Sequence, residues 1–267
     1  MIQFPPIPPG EPVRVSASSF VSYDECRFRA GARFEGLYGP DSVPAFRGGL
    51  AHQVFARHLR SGPIEADAFD QVCREEIGAK HLNMKIASLN LKPSGIRAVI
   101  EEVGAMYERF KAFPIEGFRG AEIAFEVDIG SDVMLIGSID AVFEAENRVR
   151  LVDWKTGSLG DPLVQLRFYA LLWLLENGEL PGVVEAYSVK TGEQLAELPT
   201  RAGVQLIAEQ VAGMVTGLRD SWSGGTELER RAGPWCQYCA VLDDCPEGQA
   251  SLAVFGASSS VSMRSLG

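Results

Sequence analysis

Apolar residues recur at helical spacing through roughly the first 113 positions, then at every second position, and this switch divides the chain. Phe20, Tyr23 and Phe28 follow Ser18-Ser19, so the serine pair is the expected cap of a first helix, with Cys26 inside it or at its end. Leu50, Val54, Phe55 and Leu59 predict a second helix beginning near Phe46–Gly48. Phe69, Val72, Cys73 and Ile77 mark another, and Ile96, Val99, Ile100, Val103 and Tyr107 one more. Residues 41–117 therefore read as a helical insertion. From Ala121 to Ile129, Ile123, Phe125, Val127 and Ile129 alternate with Glu122, Ala124, Glu126 and Asp128, the pattern of a half-buried strand.

Two more strands follow, carrying Leu135, Ile136 and Ile139, then Val149, Leu151 and Val152, with Glu144–Asn147 as turn material. Asp161-Pro162 opens a helix expected to run from Leu163 to Asn177 and stop at Gly178. Val183–Val189 and Gln194–Leu198 read as strands, and residues 202–222 as a final helix. The Pro-rich residues 1–17 form an expected arm, and 249–267, rich in Ser, Gly and Ala, an expected flexible tail. The order predicts a mixed α/β fold with a helical elaboration.

The paired run from Met134 to Lys155 carries the first chemistry. A turn centred between Glu146 and Asn147 places Asp140 opposite Asp153, and the period of two sets Lys155 on the face of Asp153. Two facing carboxylates repel unless a cation lies between them. The pair suits magnesium or manganese, and Lys155 would stabilise charge developing on a phosphodiester. The plain alternative is a solvated strand face with a surface salt bridge. Gln165 and Tyr169, four apart on the next helix, share a face, and on their own they read first as core and cap, ahead of contacts to nucleic acid. His52, His58 and His81 each read first as packed or surface residues.

Composition changes the picture modestly. The 267 residues are 46% hydrophobic and 22% charged, an ordinary globular balance. No apolar run reaches membrane-spanning length and no signal-peptide pattern opens the chain, so a cytoplasmic location is expected, with no membrane partner. A net charge of −10 excludes a protein that coats nucleic acid by bulk electrostatics. Locally, six arginines lie between Arg27 and Arg60 against Glu35 and Asp41, enough to hold a phosphate backbone.

Five cysteines in a reducing compartment are not a disulfide framework by default. Cys236, Cys239 and Cys245 offer three soft ligands from one stretch, and Cys26 or Cys73 could supply a fourth. By number alone, four thiolates fit zinc or an iron–sulfur cluster equally.

Four motifs together carry a resemblance: Gly48-Gly-Leu-Ala-His52, Gly137-Ser-Ile-Asp140, Val152-Asp-Trp-Lys-Thr-Gly157 and Gln165-Leu-Arg-Phe-Tyr169. Across roughly 18–250 the chain resembles the RecB-like branch of the PD-(D/E)XK nucleases. The resemblance implies a restriction-endonuclease-like mixed sheet flanked by helices, spanning 18–248 as one nuclease domain. It implies metal binding by His52, Asp140 and Asp153, a catalytic Lys155, and Gln165 and Tyr169 beside the active site. The implied activity is metal-dependent DNA exonuclease action on single-stranded or processed ends, in repair, recombination or CRISPR adaptation. The AddB-type and CRISPR-associated RecB-type exonucleases carry one cysteine ahead of these motifs and three after, around a [4Fe–4S] cluster. The likeness assigns Cys26, Cys236, Cys239 and Cys245 to such a cluster, with zinc the lesser candidate and Cys73 a core residue. Residues 224–248 would then form an iron–sulfur cap completed by Cys26, tying the first helix to the C-terminal loop. Arg27 departs from the proline that often follows the early cysteine. Two other readings stand beside this one: a DNA-end-binding adaptor serving a helicase or integrase, and a zinc-structured interaction protein.

Overall fold

The structure, a computed structural model, describes residues 2–79, 82–145 and 148–253. In chain order the elements are β1 (Val13–Ser16), α1 (Ala17–Glu25), α2 (Arg27–Phe34), α3 (Val43–Ser61), α4 (Phe69–Ala79), α5 (Asn83–Ser88) and α6 (Pro93–Phe110). Then come β2 (Phe118–Asp128), β3 (Val133–Ala145), β4 (Arg148–Lys155), α7 (Leu163–Asn177), β5 (Val183–Ser188), β6 (Gln194–Glu197) and α8 (Arg201–Trp222). A short 3-10 helix at Pro234–Tyr238 and helical residues 246–253 follow. The alternation of helices and strands is the expected mixed α/β arrangement, and the chain divides into two compact units.

The larger unit comprises Asp41–Val127 and Ile136–Ile207. Its sheet is mixed. β3 and β4 pair antiparallel from Ala141↔Val152 to Ala145↔Arg148, and β4 then pairs parallel with β5 from Arg150↔Val183 to Lys155↔Ser188. β6 closes one side against β5, and β2 pairs β3. β4 is thus a central strand, which explains its buried run Leu151-Val-Asp-Trp154. The two turn residues 146 and 147 lie outside the described residues, as does His81, yet the observed register is the one expected of a turn centred there.

Helices α3, α4 and α6 fill the expected insertion and share one core with the sheet through Phe46, Phe55, Val103, Phe110, Phe143 and Trp154. Phe55 stacks on Phe110 at 4.3 Å, and Trp154 meets Phe110 and Phe113 edge-on at 5.2 and 4.5 Å. Cys73 is fully buried here, and burial with Asp70 and Glu76 nearby pushes its thiol up to about 12, so it is a small core residue. His58 is buried too, its Nδ1 2.8 Å from Tyr107 Oη.

The smaller unit comprises Met1–Pro40, Asp128–Leu135 and Ala208–Gly267. Two expectations change here. The first helix is capped by Ser16, not by Ser18-Ser19: Ser16 and Ser19 form a reciprocal capping box, and with three serines in four positions the earliest one capable of closing that box wins. The arm is also not wholly irregular, because Val13–Ser16 is a strand whose Val13 N–H donates to Asp132 O at 2.9 Å. Arg219, 6% exposed, secures the arm by donating to the carbonyls of Pro8 and Glu11, and to Ser131 as well. The expected tail begins with helical residues to 253, and its remainder lies outside the described residues.

Candidate active site

Three strands and two helices of the larger unit converge on one acidic centre. Extended by one residue, the β3–β4 register sets Asp140 against Asp153. Both are buried, at 8% and 4% exposure, which for carboxylates demands compensation. Asp140 is well supplied: its Oδ2 accepts the Trp154 N–H at 2.7 Å, and its Oδ1 lies 3.1 Å from His52 Nδ1 on α3. Asp153 accepts from Gln165 Nε2 at 2.9 Å through Oδ1. Its Oδ2 is ion-paired with Lys155 Nζ at 2.8 Å. An amide and an ammonium thus face the two oxygens of this buried carboxylate.

Helix α7 supplies the rest. Gln165 accepts from Lys155 Nζ at 2.5 Å and donates to Tyr169 Oη at 2.8 Å, so the amide bridges ammonium, carboxylate and phenol. The helix approaches β3 closely because Gly137 has no side chain. A Cβ there would lie 2.6 Å from Leu172 Cδ1. All six nuclease-motif residues expected from the sequence, His52, Asp140, Asp153, Lys155, Gln165 and Tyr169, are brought together.

Sequence reasoning missed Glu122. His52, Glu122 and Asp140 offer ligand atoms within 4.8 Å of one another. Glu122 adopts φ +53°, a left-handed conformation costing about 1–3 kcal/mol and common where a side chain must be aimed. That kink interrupts the alternation of β2, which hid the residue among the outward polar positions. Ile129 and Val133 are joined by a backbone bond across the β2–β3 turn, and counting back from them sets Glu122 opposite Asp140.

The electrostatics follow from this crowding. Burial works against a charged His52, but Asp140, Asp153 and Glu122 outweigh it and push its pKa up to about 9. Burial and the Asp140 charge push Asp153 up to about 6, with Lys155 opposing. Burial and Asp140 raise Glu122 as well. An excess of negative charge thus waits for a cation, and the nitrogen-and-oxygen donor set suits magnesium or manganese.

In the smaller unit, Cys26 lies at the junction of α1 and α2, and Cys236, Cys239 and Cys245 follow α8. Cys26, Cys236 and Cys245 are buried, and none of the five cysteines is in a disulfide. The Arg231 N–H points at Cys26 Sγ and the Gly233 N–H at Cys236 Sγ, each at 3.4 Å. Cys26 and Cys236 lie near enough to Cys239, and Cys26 to Cys245, to oppose thiolate formation there, in addition to burial.

The profile of the PD-(D/E)XK nuclease superfamily matches residues 14–246, and the chain belongs to that superfamily. It is thus a nuclease of a class that uses divalent metal ions and acts on DNA. The fold is similar to the crystal structure of a protein from Eubacterium rectale described as a candidate exonuclease, with 14% identity, TM-score 0.53 and 86% of each chain covered. A looser likeness, to the protein SSO0001, has TM-score 0.32 and 18% identity over 74% of this chain and 95% of that one. No curated protein matches. No helix among the described residues is long and apolar enough to cross a membrane.

Proposed function

We propose that the protein is a magnesium- or manganese-dependent DNA exonuclease of the RecB-like branch, acting on single-stranded or processed duplex ends. The observation that carries this reading is the convergence of the buried Asp140 and Asp153 with His52 and Glu122, with Lys155 ion-paired to Asp153. His52, Asp140 and Asp153 are the metal ligands in this reading, joined by Glu122. When bound, a divalent ion supplies Lewis-acid polarisation of a phosphodiester. Lys155 presents its ammonium to the charge developing on the phosphate, and Gln165 holds that ammonium in place while Tyr169 fixes the amide. His52 is oriented by Asp140, and the buried aromatic core beneath β4 keeps Asp153 and Lys155 on one rigid strand.

Cys26, Cys236, Cys239 and Cys245 are the proposed ligands of a [4Fe–4S] cluster. Backbone N–H groups aimed at two of the sulfurs support ligating thiolates. We take 18–248 as one nuclease domain, with 41–117 its helical elaboration and 224–248 its cluster-binding cap. Its setting is the cytoplasm, in repair, recombination or CRISPR adaptation beside a helicase or integrase.

End-labelled single-stranded and duplex DNA, incubated with either metal, tests the reading. Wild type should release nucleotides from an end, and Lys155→Ala should slow cleavage at least about a hundredfold. Equal degradation by both proteins would remove Lys155 from the chemistry. Tight binding without cleavage under either metal would point instead to an end-holding adaptor. An anaerobic preparation that is colourless and free of iron would refute the cluster.

A further inference from the structure

Half of the six arginines between Arg27 and Arg60 are ion-paired internally, and Arg60 is engaged by a carbonyl. Arg29 pairs with Glu25, Arg47 with Glu102 and Arg57 with Glu76, while Arg60 donates to the Ala121 carbonyl. Arg33 is different. Its guanidinium has no hydrogen-bonded acceptor among the described residues, and it is half-withdrawn from solvent, with Arg29, Tyr38 and Glu25 as electrostatic neighbours. An arginine so placed is ready for an anion from outside.

Tyr38, the neighbour of Arg33, and Tyr238 are the most exposed aromatic residues among the described residues. Tyr38 is 70% exposed and Tyr238 48%, with Leu37 at 47% between Tyr38 and α2. The two tyrosines come from chain segments two hundred residues apart, yet their backbones touch: a Cβ on Gly39 would lie 2.0 Å from the Tyr238 carbonyl oxygen. Gly39 therefore lets the two backbone segments adjoin. Neither ring hangs on a loose loop. The Leu37 N–H bonds Ala32 O at 2.9 Å and the Gly36 N–H bonds Arg33 O, closing the end of α2 just before Tyr38. Tyr238 ends the 3-10 helix between Cys236 and Cys239.

We propose that Tyr38 and Tyr238, with Arg33, form a stacking platform for single-stranded nucleic acid on the cysteine-bearing unit. Two exposed aromatic rings on adjoining backbone segments, with a guanidinium free of hydrogen-bonded acceptors near one of them, are what a strand with unpaired bases and a phosphate backbone needs. The charge agrees, because a protein of net charge −10 presents arginine here. The platform rests on the nuclease reading for its purpose but not for its chemistry. It would hold a strand independently of cleavage.

Fluorescence anisotropy of the full-length protein with labelled oligothymidylate, in EDTA to stop hydrolysis, tests it. Tyr38→Ala and Tyr238→Ala should each weaken binding at least about fivefold, because each removes a stacking face. Tyr38→Phe and Tyr238→Phe should bind as wild type, since the ring and not the hydroxyl is used. Arg33→Gln should shallow the dependence of log affinity on log salt by about 0.7, one phosphate contact on a single strand. Alanine variants that bind like wild type while melting like it, or phenylalanine variants as weak as alanine, would overturn the platform, as would a wild type that does not bind the strand. Cleavage assays keep the two readings apart. Unchanged binding by the alanine variants with cleavage intact defeats the platform alone, whereas tyrosine-dependent binding by a wild type that never cleaves defeats the nuclease reading alone.

Discussion

Asp140 divides its two oxygens between separate tasks: one holds the backbone of the neighbouring strand at Trp154, the other holds His52. Glu122 has no such anchor beyond a 3.3 Å bond from Ser138, and its strained φ is worth maintaining only if the carboxylate has something to bind. Glu122→Gln should therefore lower manganese affinity about tenfold or more, measured by calorimetry. Unchanged affinity would exclude it from the ligand set. The same titrations carry a pH signature. With a metal-free pKa of about 9, His52 is protonated at pH 8, and a metal taking its nitrogen must displace that proton. Affinity should rise as pH goes from 7 to 9, with close to one proton released near pH 8, seen by repeating the titration in buffers of different ionisation enthalpy. Without metal the sign reverses. The His52 contribution to stability is fully present below its unfolded pKa of about 6.5 and is lost as pH rises through about 9.

At the scale of elements, the closeness of α7 to β3 sets where Gln165 and Tyr169 stand. Gly137→Ala should cost about 1–3 kcal/mol by overpacking against Leu172, read from urea denaturation, and a double-mutant cycle with Leu172→Val should show positive coupling. Simple additivity would mean that the contact is not what sets the spacing. These elements also show what could be read in advance. The β3–β4 register was legible because a two-residue turn and a period of two leave few choices, and α7 because Asp161-Pro162 and Gly178 bracket it. Glu122 was not legible, since a single left-handed residue breaks the alternation that sequence reading relies on. Nor was β1, four residues long and preceded by prolines, because a strand that short is specified by its neighbour more than by itself.

Across the whole molecule, the chain passes between its two units after Pro40, Val127, Leu135 and Ile207, so the smaller unit is assembled from three separate segments. Segments far apart in sequence bear a large loop-closure cost, and a cross-link among them offsets part of it. The proposed cluster is such a link, joining Cys26 in the first segment to Cys236, Cys239 and Cys245 in the third. Its removal by mild oxidation and chelation should speed amide hydrogen exchange first in α1, α2 and Pro234–Tyr238, while β3 and β4 within Ile136–Lys155 keep their protection. Uniform exchange across both units, or none, would argue that the four cysteines hold nothing structural.

Asp153 and Lys155 are separated by one residue, and that residue is Trp154, 2% exposed among Phe55, Phe110 and Phe113. The wedge that fixes the two site side chains is therefore a piece of hydrophobic interior, supplied by α6, which brings no side chain to the site, and by α3, which also carries His52. In genetic terms, heat-sensitive alleles of this nuclease need not map to its motifs. Changes at Phe55 or Phe110 would score as loss of cleavage at elevated growth temperature while every motif residue stays intact, so the heritable target for inactivation is wider than the site itself.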